Sequence, residues 1–224
     1  MRPIRMAACA CALLIVLTAP ALLTAPGAAA PAPRRTAPFR SVELRNGGEV
    51  LIRHAARQSV TFASERSRAR VVEGRLVLEN CPGRCGHGDR TRVTILTPVL
   101  DGVAVSNGGA IRVEGNFPRQ PSLSASVAQG GTIDIRDMRA AGVAASISQG
   151  GRIFTRPLES LTASVRSGGR IAYWGDPSVQ RAIAGGGIVE RGRPEDEGKP
   201  LAEFDPPLPR LPELPRLPNH RRGQ

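Results

Sequence analysis

Short runs in which apolar and polar residues alternate follow one another along the chain from Phe39 onward. An alternation with period two places every second side chain on one face, which is typical of β-strands with one buried side. No window of a dozen residues shows a clear 3.6-residue period, so the sequence predicts an all-β fold. In the first part of this region strands are predicted around Val42/Leu44, Val50/Ile52, Val60/Phe62, Leu76–Leu78 and Val93/Ile95.

A pair of glycines recurs in the second part of the chain at nearly regular intervals of 22, 20, 18 and 17 residues. The first glycines of these corners are Gly108, Gly130, Gly150, Gly168 and Gly185. The flanking residues repeat as well, giving a consensus Leu-x-Ala-x-Val-x-x-Gly-Gly-x-Ile. The apolar positions before the corner are Val105, Val127, Ile147 and Val165, and those after it are Ile111, Ile133, Ile153 and Ile171.

A repeat of about 20 residues is typical of a solenoid, whose units bury their apolar faces only by stacking. The repeat therefore predicts five coils of a parallel β-helix, with equivalent residues in columns about 4.8 Å apart. Glycine at each corner permits positive φ and leaves no side chain to collide with the next coil. Residues 39–98 are expected to add an N-terminal β layer or irregular coils. An antiparallel sandwich is the alternative, but it does not explain the aligned columns.

The N-terminal residues have the three parts of a secretory signal. Arg2 and Arg5 precede an apolar run over residues 6–23, and small residues follow up to Ala30. This order predicts a signal peptide over residues 1–29 and a flexible leader over residues 30–38. A retained anchor helix is the alternative. No later stretch approaches ~18 apolar residues, so no transmembrane span is expected after signal removal. The protein is therefore expected to be exported to the periplasm, the cell surface or the extracellular space.

Four segments resemble one bacterial protein family. They are Phe39–Leu44 (FRSVEL), Val72–Leu78 (VEGRLVL), Arg92–Leu100 (RVTILTPVL) and Ser167–Pro177 (SGGRIAYWGDP). Together with the glycine corners they are similar to the "putative auto-transporter adhesin, head GIN domain" family. The resemblance covers residues 39–191 and implies a right-handed β-helical domain in an exported, adhesin-like protein. The family provides no established catalytic residues, so a non-catalytic role is expected.

The formal charge is +12, and 30 of the 31 cationic residues are arginines. Only seven residues are aromatic, so the stacking platforms of nucleic-acid-binding proteins are not expected. Arg152 and Arg170 occupy the same position after successive corners, and Arg166 lies on the same turn as Arg170. This arrangement predicts an anion-binding site for polyanions such as lipopolysaccharide or an anionic polysaccharide. A solvated basic face is the alternative.

Two cysteines, Cys81 and Cys85, remain after the predicted signal peptide. They flank a Pro-Gly turn, and a disulfide between them is expected in an oxidising compartment. The alternative is a metal site that also uses His87 and Asp89, although structural zinc sites usually need a separated fourth ligand. No metal or cofactor is therefore predicted.

Parallel β-helices also include polysaccharide lyases and hydrolases, so a carbohydrate-active enzyme is the alternative function. Such an enzyme needs convergent acidic groups, and Asp134 and Asp137 are the nearest candidates. Asp134 stands at an outward strand position, where a solubilising role is expected.

The last segment, residues 192–224, is rich in proline. Prolines recur at every third position, at Pro206, Pro209, Pro212, Pro215 and Pro218. Three residues per turn is polyproline II geometry. The tail is expected to be a stiff spacer; the alternatives are a ligand for an apolar groove of an envelope protein, or a segment that docks onto its own domain.

Overall fold

In the computed structural model the described residues fold mainly into β-strands, as the alternation predicts. The structure describes residues 36–63, 67–80 and 92–200. Besides strands, these segments contain a short 3₁₀ helix at Pro194–Asp196. The strands are β1 (Ser41–Arg45), β2 (Glu49–His54), β3 (Ser59–Phe62), β4 (Arg68–Val72), β5 (Arg75–Glu79), β6 (Arg92–Thr97), β7 (Gly102–Ser106), β8 (Ala110–Glu114), β9 (Gln120–Gln129), β10 (Thr132–Ile135), β11 (Ala140–Gln149), β12 (Arg152–Thr155), β13 (Ser160–Ser167), β14 (Arg170–Tyr173), β15 (Ser178–Ile183) and β16 (Ile188–Arg191).

The strands form two large sheets. Sheet 1 has the order β15-β13-β11-β9-β7-β1-β5-β4, and sheet 2 has the order β16-β14-β12-β10-β8-β2-β6-β3. From β5 onward consecutive strands alternate between the sheets. All pairings are parallel except β3 with β6 and β4 with β5, which close one end of each sheet. The strands β1 to β6 therefore belong to the same two sheets and do not form a separate layer.

The apolar columns predicted from the repeat are present. Val127, Ile147 and Val165 are paired across sheet 1, and all three are buried. Ile133, Ile153 and Ile171 are likewise paired across sheet 2 and buried. Residues from these columns in both sheets belong to one apolar core, built mainly from valine, isoleucine, leucine and alanine.

The glycine corners are needed for both of the predicted reasons. Gly131 has a φ of 108°, a region that side-chain-bearing residues rarely adopt. A Cβ atom on Gly131 would also lie 2.5 Å from the Cγ1 atom of Val105. Gly151 repeats this arrangement against Val127 at 2.6 Å. A larger residue at the second corner position would therefore push the neighbouring strands apart.

Candidate binding surfaces

The three predicted anion-binding arginines lie on both sides of the glycine corners. Arg152 on β12 and Arg170 on β14 occupy directly paired positions of sheet 2, so the repeat predicts their alignment correctly. Arg166 lies near the end of β13 in sheet 1 and is exposed. The structure thus places two of the three arginines at paired strand positions and the third on the strand that precedes the corner.

Arg170 has acidic neighbours. Its Nη2 atom lies 2.5 Å from Oε1 of Glu190, and both side chains are nearly half exposed. An exposed ion pair of this kind contributes little to stability, at most about 1 kcal/mol. Asp196 is also near: Lys199 lowers the pKa of that carboxyl, and the positive charge of Arg170 adds to the effect. The Arg170 guanidinium is therefore partly neutralised but open to solvent.

A buried ion pair that the sequence did not predict lies further along sheet 2. Nε of Arg136 donates to Oδ1 of Asp134 at 2.8 Å, and Nη2 donates to Oδ2 at 2.7 Å. The two side chains are only 7% and 5% exposed. The expectation that Asp134 is a solubilising surface residue is therefore wrong. Charges are retained at this depth because they are paired with ideal bidentate geometry.

Aromatic rings pack against this ion pair on the outer face of sheet 2. The guanidinium carbon of Arg136 lies 5.7 Å from the centre of the Phe154 ring and 5.2 Å from that of Trp174. Phe154, Ala172 and Trp174 form a second apolar cluster, separate from the core between the sheets. Phe154 is paired with Asp134 and Ala172 in one outward column. This column is buried although it faces away from the core.

The cover over this column is the strap, which we define as residues 192–200. Nη1 of Arg136 donates to the carbonyl oxygens of Asp196 and Glu197 at 2.9 and 2.8 Å. Nη2 donates to the carbonyl of Lys199 at 2.8 Å. One guanidinium therefore holds three backbone carbonyls as well as a carboxylate.

Two further contacts fix the strap. Nε1 of Trp174 donates to the carbonyl of Arg193 at 2.9 Å. An ion pair of 2.8 Å joins Arg156 to Glu197. Residues 193–199, which precede the proline repeat, therefore contact their own domain. Residues 201–224 lie outside the described part of the chain.

The outer face of sheet 1 has the opposite character. Its outward residues on β9, β11 and β13 are small and uncharged up to Arg166, and they are half-buried or exposed: Ser122, Ser124, Ser126, Ala128, Gly142, Ala144, Ser146, Ser148, Ser160, Thr162 and Ser164. Larger side chains stand on β1 and β5, where Glu43 binds Arg45 at 2.6 Å and Arg75 at 3.4 Å. A shallow depression of about 330 Å³ lies where the small residues of β9 and β11 meet the larger side chains of β1 and β5.

The two acidic candidates for catalysis have different surroundings. Asp134 is occupied by Arg136, while Asp137 lies on a cleft of about 450 Å³ beside Arg139 and Arg156. Among residues 36–63, 67–80 and 92–200 no three histidine, cysteine or acidic residues are grouped as metal ligands. The predicted disulfide of Cys81 and Cys85, and the alternative metal site with His87 and Asp89, lie outside the described residues.

The family resemblance is confirmed for the central repeats. Residues 119–177 match the family model described as "Putative auto-transporter adhesin, head GIN domain". The match spans β9 to β14 and so includes Arg136, Arg152, Arg166 and Arg170. No curated protein matches the chain. No helix within the described residues is long and apolar enough to cross a membrane.

Several solved structures are similar to this chain at low identity. A putative adhesin from Bacteroides fragilis is 16% identical, with a TM-score of 0.46, over 71% of this chain and 94% of its own. A putative adhesin from Parabacteroides merdae is 15% identical, with a TM-score of 0.34, over 73% and 96%. A putative lipid binding protein from Parabacteroides distasonis is 15% identical, with a TM-score of 0.31, over 73% and 97%.

Proposed function

We propose that this chain, whose central repeats carry the sequence of the GIN-domain adhesin family, is an exported, non-catalytic binding module. It acts in the periplasm or at the cell surface, after removal of residues 1–29 as a signal peptide. The family match supports an adhesin-like role. Asp134 and Asp137 are the carboxylates considered for acid–base catalysis. Asp134 is paired with Arg136 in a buried ion pair, which argues against that role.

The architecture proposed for the module is a right-handed parallel β-helix over residues 39–191. From β7 onward each strand pairs in parallel with the second strand after it in the chain, for example β7 with β9. The chain therefore passes through the other sheet and then returns to the first one, as in a β-helix. Crossovers between parallel strands of one sheet are almost always right-handed. Residues 30–38 then form a leader, and residues 192–224 form a tail whose first part is the strap.

The proposed ligand is an anionic polysaccharide or the phosphate-bearing part of lipopolysaccharide, held by Arg152, Arg166 and Arg170. The observation that carries this proposal is the direct pairing of Arg152 with Arg170, which repeats a positive charge at the spacing of adjacent strands. Guanidinium groups suit phosphate and carboxylate because they donate two parallel hydrogen bonds. The small outward side chains beside Arg166 leave room for a polymer to approach.

Binding of purified mature protein to lipopolysaccharide and to a uronate polymer, at low and at high salt, tests this proposal. Several weak contacts should add through multivalency and should weaken steeply with salt because exposed charges are screened. A variant with Arg152, Arg166 and Arg170 changed to serine should lose most of the binding. The matched control changes Arg57, Arg70 and Arg92 to serine, which removes the same charge from the other end of the sheets.

The control separates a site from general charge. Retained binding in the control and loss in the first variant is the expected result. Equal loss in both variants, or a parent that binds neither polymer at low salt, contradicts the proposed ligand. Fractionation of cells that express the full chain tests the location separately, since a protein found only in the cytoplasm contradicts export.

A further inference from the structure

The two ends of the sheets are finished differently. At one end the antiparallel strands β3 and β4 complete the sheets. At the other end, among the described strands, β15 pairs with β13 alone and β16 pairs with β14 alone. An edge strand of this kind presents unpaired N–H and C=O groups, which can pair with another chain.

One apolar column is also open at the end formed by β15 and β16, in sheet 1, whereas the Ile171 column of sheet 2 ends in the buried Val189. The column that contains Val165 continues to Ile183, which is 45% exposed. Ile188 on β16 is 49% exposed and lies at an outward position, where it is paired with Arg170. These are two of the few large apolar side chains that the described residues leave exposed. Apolar area of this kind at a strand edge favours association with a further strand layer.

In each sheet one column of inward residues is uncharged until the last strand, where its residue is an arginine. In sheet 1 the column of Ala125, Ala145 and Ala163 ends in Arg181. In sheet 2 a second column, which runs through Ile135, Thr155 and Tyr173, ends in Arg191. No earlier member of these two columns is charged.

The two guanidinium groups are held at the open end. Nη1 of Arg181, on sheet 1, lies 3.4 Å from the carbonyl oxygen of Val189 on sheet 2. Nη2 of Arg191 donates to Asp176 at 2.7 Å, and this bond raises the pKa of the Arg191 guanidinium above its ordinary value. A chain that paired with β15 or β16 would bury these charges next to its own inward side chains. Burying a charge without a new partner is costly.

We propose that Arg181 and Arg191 form a charged cap that prevents a second copy of this chain from associating end to end through β15 and β16. A second copy is the partner that fits, because its end presents the same two edge strands and the same exposed Ile183 at the end of an apolar column. Inward-pointing charges on edge strands are a known means of blocking such pairing. The cap keeps the protein monomeric, and this role does not depend on the ligand of the arginines at the corners.

The test restores the residues that the preceding strands carry. A double variant of the full mature chain carries Arg181→Ala and Arg191→Thr. These residues match Ala163 and Thr155 of the same columns. Sedimentation velocity compares the variant with the parent over a range of concentrations. The parent should sediment as a monomer throughout, and the double variant should approach twice that mass at high concentration. The control double variant, Arg57→Ala with Arg139→Thr, removes two exposed charges elsewhere and should stay monomeric.

Hydrogen exchange locates the association. In the associated double variant the backbone amides of residues 178–183 and 188–191 should exchange more slowly than in the parent, because they become paired. A double variant that stays monomeric overturns the proposal. So does association that leaves these amides unprotected, and so does a parent that already associates with the same amides protected.

Discussion

The outer faces of the two sheets differ although the inner faces share one core. On sheet 2 the outward column of Asp134, Phe154 and Ala172 is buried beneath the strap. On sheet 1 the outward column of Ser126, Ser146 and Ser164 consists of small hydroxyl residues that are half-buried or exposed. The same period-two alternation therefore builds a covered face on one side and an open face on the other.

The difference shows that the outward columns, and not the repeat, decide what each face can bind. The repeat fixes which residues point inward, and the outward positions are free to vary from strand to strand. Where they carry an arginine–aspartate pair and two aromatic rings, they hold a segment of the same chain. Where they carry serine and alanine, they leave a flat surface next to Arg166.

The largest loss of stability is expected for a substitution in the core that the two sheets share. Ile153 is fully buried. Ile153→Asp places an unpaired carboxylate there and should lower the free energy of unfolding by about 4 kcal/mol or more. Urea unfolding measures the loss. Thr162→Asp, at an exposed outward position of sheet 1, is the control and should change little. Equal stability of the Ile153 variant and the parent would show that the assigned register is wrong.

The next effect should be confined to the covered face. Arg136→Met keeps much of the side-chain volume but removes the guanidinium that pairs with the Asp134 carboxylate and donates to three strap carbonyls. Breaking a buried pair in this way should cost about 3 kcal/mol. Arg139→Met, at an exposed position of the same turn, should stay within about 0.5 kcal/mol of the parent. Urea unfolding measures the free energy of unfolding of both variants. Similar losses of stability in the two would contradict a special role of Arg136 in the covered face.

A smaller effect, on the open face, should depend on pH. Burial tends to raise the pKa of the Glu43 carboxyl, but Arg45 and Arg75 outweigh it, and the net pKa lies below 4.5. The folded state therefore binds this proton less readily than the unfolded state. The stabilisation is present above pH 4.5 and is lost as the pH falls through the lower folded-state value.

Stability measured from pH 7 down to acid, for the parent and for Glu43→Gln, tests this contribution. The difference in the free energy of unfolding between the two proteins should be constant above pH 5 and should shrink in acid. A difference that does not change with pH would show that the carboxylate charge of Glu43 adds nothing to the open face.

Much of the core could be predicted from the sequence because each side chain in a column repeats at a fixed distance from a glycine pair. The N-terminal strands were harder, because β1 and β2 lie between β5–β6 and β7–β8 and are not stacked in chain order. A signal was present: Asn46-Gly47-Gly48 repeats Asn107-Gly108-Gly109, and Nδ2 of Asn107 donates to Oδ1 of Asn46 at 3.1 Å.

The covered face could not be predicted, because its contacts follow no period. Asp134 and Arg136 are two residues apart, but the carbonyl groups that Arg136 binds belong to residues 60 or more positions later. These acceptors are backbone atoms, so the strap residues carry no side-chain signal for the contact. The pairing of Arg152 with Arg170 was predictable because both follow glycine corners.

Trp174 gives the most direct test of the difference between the faces, since it is the only tryptophan in the chain. The ring is 3% exposed beneath the strap. Quenching of its fluorescence by acrylamide should be weak in the parent and in Arg139→Met, and strong in Arg136→Met under conditions where that variant is still folded. Strong quenching in the parent, or weak quenching in folded Arg136→Met, would contradict a face that is covered because Arg136 holds the strap.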